Sequence, residues 1–197
     1  MPNWSMNCIK VTGVTDAIRE LFESAQRGEF CNAVAPIPDM LKDTVVGSVG
    51  LKDSEQQLEH EMQQNLNSEL FGYKNWCDFC IEQWGTKWDL GTSDTVNIDD
   101  NFDGTSTLTV SDDSAWSPPI GIFEKLHEQG FNVLAYYYEP GMGFCGRWHN
   151  GVDEYYQIQG NSDWVDEHIP NEISEIFAIA ENMRQWEDSS SEEAHSE

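Results

Sequence analysis

Positive charge is what this chain has least of. Ten Lys and Arg stand against 36 Asp and Glu in 197 residues, a formal net charge of −26. No basic stripe exists to neutralise phosphates, which argues against direct nucleic-acid binding, and the same surface repels anionic membranes. No run of 18 apolar residues occurs, so no membrane span is predicted. The opening MPNWSMNCIK has no apolar h-region. That predicts a cytosolic protein whose five cysteines, an odd number, are reduced thiols. Catalytic signatures are also missing. The five histidines (60, 127, 149, 168, 195) form no HExxH, and there is no GxSxG. Gly141-Met142-Gly143 has no helix start behind it to make a phosphate loop. Asp99, Asp100 and Asp103 before Gly104 lack the spacing and terminal Glu of a calcium loop, and read as turn chemistry. No cofactor is expected.

What is present is acid, unevenly placed, and tryptophan. Residues 1–88 carry a net charge of −6 and residues 89–197 a net of −20. With 39% hydrophobic and 12% aromatic residues, a core needs no staples. Eight tryptophans are present, three of them in the stretch WCDFCIEQWGTKWD, from Trp76 to Asp89. This stretch reads as the hub where a helix turns into the main sheet.

Asn7 to Thr12 alternates and reads as a strand. Thr15 is placed to cap a helix with apolar positions Ala17, Ile18, Leu21, Phe22 and Ala25, ending at Gly28. A second strand is predicted at 29–35, stopped by Pro36 and Pro38. Residues 44–51 read as a loop or short strand. Ser54 to Leu70 reads as an exposed helix with a thin apolar stripe at Leu58, Met62, Leu66 and Leu70. Trp76 to Trp84 reads as helical, with Trp76, Cys80 and Trp84 on one face. Val96 and Ile98, then Leu108 and Val110 across the turn at Asn101 to Gly104, predict a hairpin. Ser117-Pro118 reads as a helix start running to Gly130, and Phe131 to Tyr138 as a strand. A second hairpin, 144–149 with 152–158, turns at Asn150-Gly151. A last helix begins at Asn171, and residues 187–197 read as a disordered acidic tail. The whole predicts one α+β domain over 1–186, a mostly antiparallel sheet with helices on one face. It carries an inserted helical segment at 39–75 and an appended C-terminal hairpin and helix.

Three segments together resemble a known family: Met1-Pro2-Asn3-Trp4 followed by Asn7, WGTKWD at Trp84 to Asp89, and the run from Tyr138 to Gly146, YEPGMGFCG. They are similar to the YubB-type (Api-like) ferredoxin-like domain family of uncharacterised phage and plasmid proteins. Where that family has Cys soon after its first Trp, this chain has Ser5, with Cys8 further on. The resemblance covers residues 1 to about 158. It implies a ferredoxin-like fold and carriage by mobile elements, and no catalytic residues.

The candidate sites follow. Cys77-x-x-Cys80 with Cys145-x-x-x-His149 has the ligand types of a Cys3His zinc site, although Cys80 equally fits the apolar face of its own helix. Trp84, Lys87 and Trp88 form an aromatic–cation group suited to stacking a ligand ring, or else packing the helix–sheet seam. The carboxylates Asp94, Asp99, Asp100, Asp103, Asp112 and Asp113 around the first hairpin form one acidic group. Asp153, Glu154, Asp163, Asp166 and Glu167 form a second. Carboxylates displayed in this way can imitate phosphates and attract a basic host protein such as a nuclease, helicase or defence effector. The expectation is an acidic, DNA-mimic-like inhibitor acting by protein–protein binding. The alternative is a small-ligand-binding protein or enzyme using Trp84, Lys87, Trp88, Cys145 and His149.

Overall fold

The computed structural model of the chain describes residues 3–52 and 54–194. The chain runs β1 (Trp4–Val14), α1 (Thr15–Gln26), α2 (Phe30–Val34), α3 (Asp39–Lys42), α4 (Glu55–Phe71), α5 (Trp76–Trp84), β2 (Val96–Asp100), β3 (Thr105–Ala115) and α6 (Ile120–Glu128). It continues β4 (Asn132–Glu139), β5 (Phe144–His149), β6 (Val152–Gln157), α7 (Ser162–His168), α8 (Asn171–Ile176) and α9 (Ile179–Ala194). The six strands form one sheet in the order β2-β3-β1-β4-β5-β6, every pair antiparallel. The first four strands, with α1 and α6 as crossovers, have the ferredoxin-like βαββαβ order. The hairpin of β5 and β6 extends the sheet beyond β4.

Strand alternation divides the sheet into two faces. Ile9, Val11, Leu108, Val110, Val133, Ala135 and Trp148 face one side, where α1, α2, α5 and α6 cover them with Ile18, Leu21, Phe30, Trp84 and Phe123. Cys8, Tyr136, Tyr138 and Cys145 face the other side, beneath Val165, Ile169, Ile173 and Ile179 from the C-terminal helices and the segment joining them. Helices therefore cover both faces, and the expectation of one covered face is corrected. The alternating residues of β4 are apolar on both sides, so each face needs a cover. The second face stays open over β2 and β3, where Asn97, Asp99, Thr107, Thr109, Ser111 and Asp113 line it.

Several local expectations are corrected with it. Residues 30–34 are helical, because the Asp89 carboxylate accepts the N–H groups of Cys31 (2.6 Å) and Asn32 (2.9 Å) and so caps α2 from 57 residues away. The whole crossover from α2 to α5 is thus inserted before β2, and the predicted 39–75 segment is only its middle. Of the two readings of residues 44–51, a loop or a short strand, the structure has the loop. Ser117 does not start α6; its hydroxyl donates to the Gly85 carbonyl, and the helix begins at Ile120. The single last helix is broken between α8 and α9 at Ala178, whose φ is 50°. Asn171 lies inside α8, and Asn161 caps α7 by accepting the Trp164 N–H. α9 runs to Ala194, through much of the stretch expected to be a disordered tail. It is held to the start of α7 by the Glu187 carboxylate on the Ser162 N–H and hydroxyl. Residues 195–197 lie outside the described residues.

Candidate functional site

Each residue of WGTKWD has a separate fastening task. α5 starts under the Asn75 side chain, which accepts the Asp78 N–H, and stops at Gly85 with φ 87°. A Cβ at Gly85 would stand 3.1 Å from the Pro118 carbonyl, so the turn requires glycine. The buried Trp84 indole donates to the Ala35 carbonyl at 2.8 Å. Thr86 accepts the Ala115 N–H at 3.0 Å, tying the hub to the end of β3. Trp88 stacks between two other indoles, Trp4 at 5.6 Å and Trp116 at 6.3 Å. Lys87 lies among Trp76, Trp88 and Trp116, its Nζ 5.8, 4.9 and 6.0 Å from the ring centres. Burial pushes the Asp89 carboxyl above its ordinary range, against the three backbone N–H groups of Cys31, Asn32 and Leu90 that favour its charged form.

The result is a tryptophan cleft at one end of the sheet. A cavity of about 370 Å³ is lined by Trp76, Trp84, Trp88, Lys87, Lys42 and Asp89, among others. A recess of about 350 Å³ adjoins it and shares Trp88 and Asp89; Trp4, Asp112 and Asp113 complete its wall. Trp4, Trp88 and Trp116 remain 44%, 39% and 45% exposed. Large rings left this open are an unusual use of tryptophan in a folded chain. Among the described residues the Asp113 carboxylate accepts no hydrogen bond, and burial together with Asp112 raises its pKa. Asp112 is occupied with the N–H groups of Gly91 and Asp113. Indole rings beside carboxylates are the chemistry that recognises a cation.

The three segments that carried the resemblance meet here. Trp4 joins the ring stack, and the Asn3 carbonyl accepts the Trp116 N–H at 2.9 Å. A Cβ at Gly141 would lie 2.7 Å from the Asn3 side chain, so the YEPGMGF turn is pressed against the N-terminal segment. That turn is closed by Glu139, 1% exposed, whose carboxylate accepts the N–H groups of Gly141 and Met142. Trp4, Trp116 and Asp89 were absent from the sequence-derived site. Trp116 had one signal, a large aromatic placed directly after an alternating strand and before Ser-Pro-Pro.

The acidic candidates lie on opposite edges of the sheet. Of the first group, Asp100 and Asp103 hold the hairpin turn by accepting the N–H groups of Phe102 and Thr105. Asp94 sits in the turn before β2, and Asp99 and Asp113 lie on the open face. In the second group Asp153 accepts the Tyr137 hydroxyl at 2.7 Å, Glu154 makes a two-pronged pair with Arg147, and Asp166 pairs with Arg184. Asp163 and Glu167 are exposed on α7.

The cysteines and His149 do not assemble. Cys80 packs in the cluster on the first face and Cys145 in the cluster on the second, while His149 is exposed at the far end of β5. The proposed Cys77, Cys80, Cys145 and His149 set is therefore split by the sheet itself. Among the described residues no group of three or more His, Cys, Asp or Glu could hold a metal ion. Nor does His149 or Cys145 join Trp84, Lys87 and Trp88. Burial pushes the Cys80 and Cys145 thiols up to about 12, and burial and Asp89 raise Cys31. All three stay protonated near neutrality and are poor nucleophiles. Among the described residues no helix is long and apolar enough to cross a membrane.

No protein-family model and no curated protein matches the chain. Among solved structures it is similar to the protein api92 from Yersinia pseudotuberculosis, of the family model DUF1281. The two share 11% identity over 82% of this chain and 99% of that one, with a TM-score of 0.40. A likeness at that level carries no argument about function.

Proposed function

We propose that the protein acts by binding a basic protein partner, with the tryptophan cleft at the centre of the contact and the carboxylates around it steering the approach. The observation that supports this best is the exposed Trp4–Trp88–Trp116 stack beside Asp112 and Asp113, in a chain with 36 acidic and 10 basic residues. Exposed tryptophans dominate the energetics of many interfaces, and surrounding charge sets the association rate. The finer reading is a cytosolic accessory protein of a phage or plasmid that inhibits a host DNA-binding or anti-phage defence protein, partly by DNA mimicry. It rests on the acid surface and on the resemblance of the MPNW, WGTKWD and YEPGMGFCG segments.

The test is capture of the partner on the tagged chain from bacterial lysate, followed by challenge with duplex DNA and salt. A basic DNA-binding protein should be retained, and duplex DNA should release it. The double variant Asp99→Lys with Asp113→Lys changes two carboxylates that hold no backbone group. It should weaken capture about tenfold or more. A partner that survives DNA, modest salt and the double variant would sink the mimicry reading. A small-molecule reading has one observation in its favour: Lys87 lines the 370 Å³ cleft, and its ammonium contacts rings with no ion pair to a carboxylate among the described residues. Lys87→Ala with no change in any phenotype would remove it.

A further inference from the structure

α4 is turned the wrong way round. Its buried residues are polar, Gln57 and Asn67, and Phe71 in its last turn packs against the main core; Asn67, 1% exposed, donates to the Lys74 carbonyl at 3.0 Å and accepts from Gln63 at 2.8 Å. Gln57 accepts the Val49 N–H and donates to Glu61, and His60 meets the Gly47 carbonyl at 2.8 Å. These amide contacts bind the helix to the loop at 44–51 and the segment that follows it. The apolar stripe points outward. Leu58, Met62, Leu66 and Leu70 are 50%, 72%, 45% and 58% exposed. Four large apolar side chains spaced four apart form one ridge about 18 Å long, the geometry that packs into the groove of another helix. The loop bonded to α4 leaves Val45, Val46 and Leu51 exposed as well.

The charge beside the ridge says what covers it. α4 contains Glu55, Glu59, Glu61 and Glu69 and no Lys or Arg. A second copy would set these glutamates against their own kind, in a chain already at −26. A segment carrying its own apolar ridge flanked by Lys and Arg meets both the stripe and the charge. We infer that α4 is the docking surface for a basic amphipathic helix of a protein partner. This rests on the basic-partner reading above for the partner's charge, and on the inverted helix for the site. It places that part of the contact in the insertion, away from the acidic hairpin.

The experiment titrates the full chain with a synthetic helical peptide bearing Leu at every fourth position flanked by Lys and Arg. A peptide with Glu in place of those cations serves as control, and binding is followed by calorimetry and circular dichroism. The expected result is saturable binding of the basic peptide with a gain in helicity, and none of the acidic one. The double variant Met62→Gln with Leu66→Gln, both solvent-facing, should weaken binding by about tenfold or more while leaving the fold intact. Asp99→Lys with Asp113→Lys should leave peptide binding within about twofold. Equal binding to wild type and the stripe variant would overturn the inference while leaving the basic-partner reading standing. Partner capture that fails in the wild-type chain while the peptide binds would overturn the reading and leave the surface. Dimerisation of the wild-type chain that the stripe substitutions abolish would put a second copy on the ridge, and would also overturn the inference.

Discussion

Two helices of the same crossover bury opposite faces. α1 sends Ile18, Leu21 and Ala25 into the sheet, while α4 sends Gln57 and Asn67 inward and leaves its leucines in solvent. α1 is strongly amphipathic by sequence, whereas α4 carries only a thin apolar stripe on a polar helix. The difference lies in what each one meets. α1 lies against β1 and β3, whose Ile9, Val11, Leu108 and Val110 offer an apolar floor. α4 meets backbone carbonyls and amides from the 44–51 loop and Lys74, which only polar side chains can satisfy. An apolar stripe therefore states that something must cover it, and leaves open whether the cover belongs to the same chain.

The comparison can be broken by substitution. The largest effect is expected at Trp84→Ala, which empties a buried site against Phe79 and orphans the Ala35 carbonyl. The loss should be about 3–5 kcal/mol by urea unfolding; a loss below about 1 kcal/mol would mean that the hub does not hold the fold. Asn67→Leu should cost about 1–3 kcal/mol, because it removes a 1%-exposed amide that donates to the Lys74 carbonyl. A neutral or stabilising result would show that the inner face of α4 tolerates apolar residues, and the inversion would lose its physical basis. The smallest effect is expected from Met62→Gln with Leu66→Gln, within about 0.5 kcal/mol per site in the isolated chain. If that pair costs as much as Trp84→Ala, the stripe is covered in the folded protein and the contrast between the two helices disappears.

Much of the sheet could be read in advance because its signals are local. Asn150 and Gly151 adopt the positive φ values, 44° and 92°, that their type of turn requires. The alternation in β2 and β3 and the αL glycine after α5 also stand where the residues placed them. What was illegible depends on distant partners. Phe30 to Val34 has the composition of a strand, and its helical start is held from the hub, by the Asp89 carboxylate on the Cys31 and Asn32 N–H groups and the Leu90 carbonyl on that of Phe30. The same holds for the candidate site. Trp88 and Lys87 were visible as a pair, but their stacking with Trp4 and Trp116 exists only because β1 and β3 end side by side. Cys77-x-x-Cys80 and Cys145-x-x-x-His149 looked compatible by type, and the sheet between them decides otherwise.

The insertion between α1 and β2 also has a consequence in time. β1 is the first strand made and lies between β3 and β4, yet Asn7 finds Asp112 only 105 residues later. At a synthesis rate of about 5–20 residues per second, the first strand waits about 5–20 s on the ribosome before either neighbour exists. During that interval the chain holds Ile9 and Val11 with α1 as their nearest local cover, while α4 and its leucines emerge into the same exposed state. The half that waits carries a net charge of only −6, so like-charge repulsion between neighbouring copies is weakest while these two apolar surfaces are uncovered, and grows as the −20 half is made.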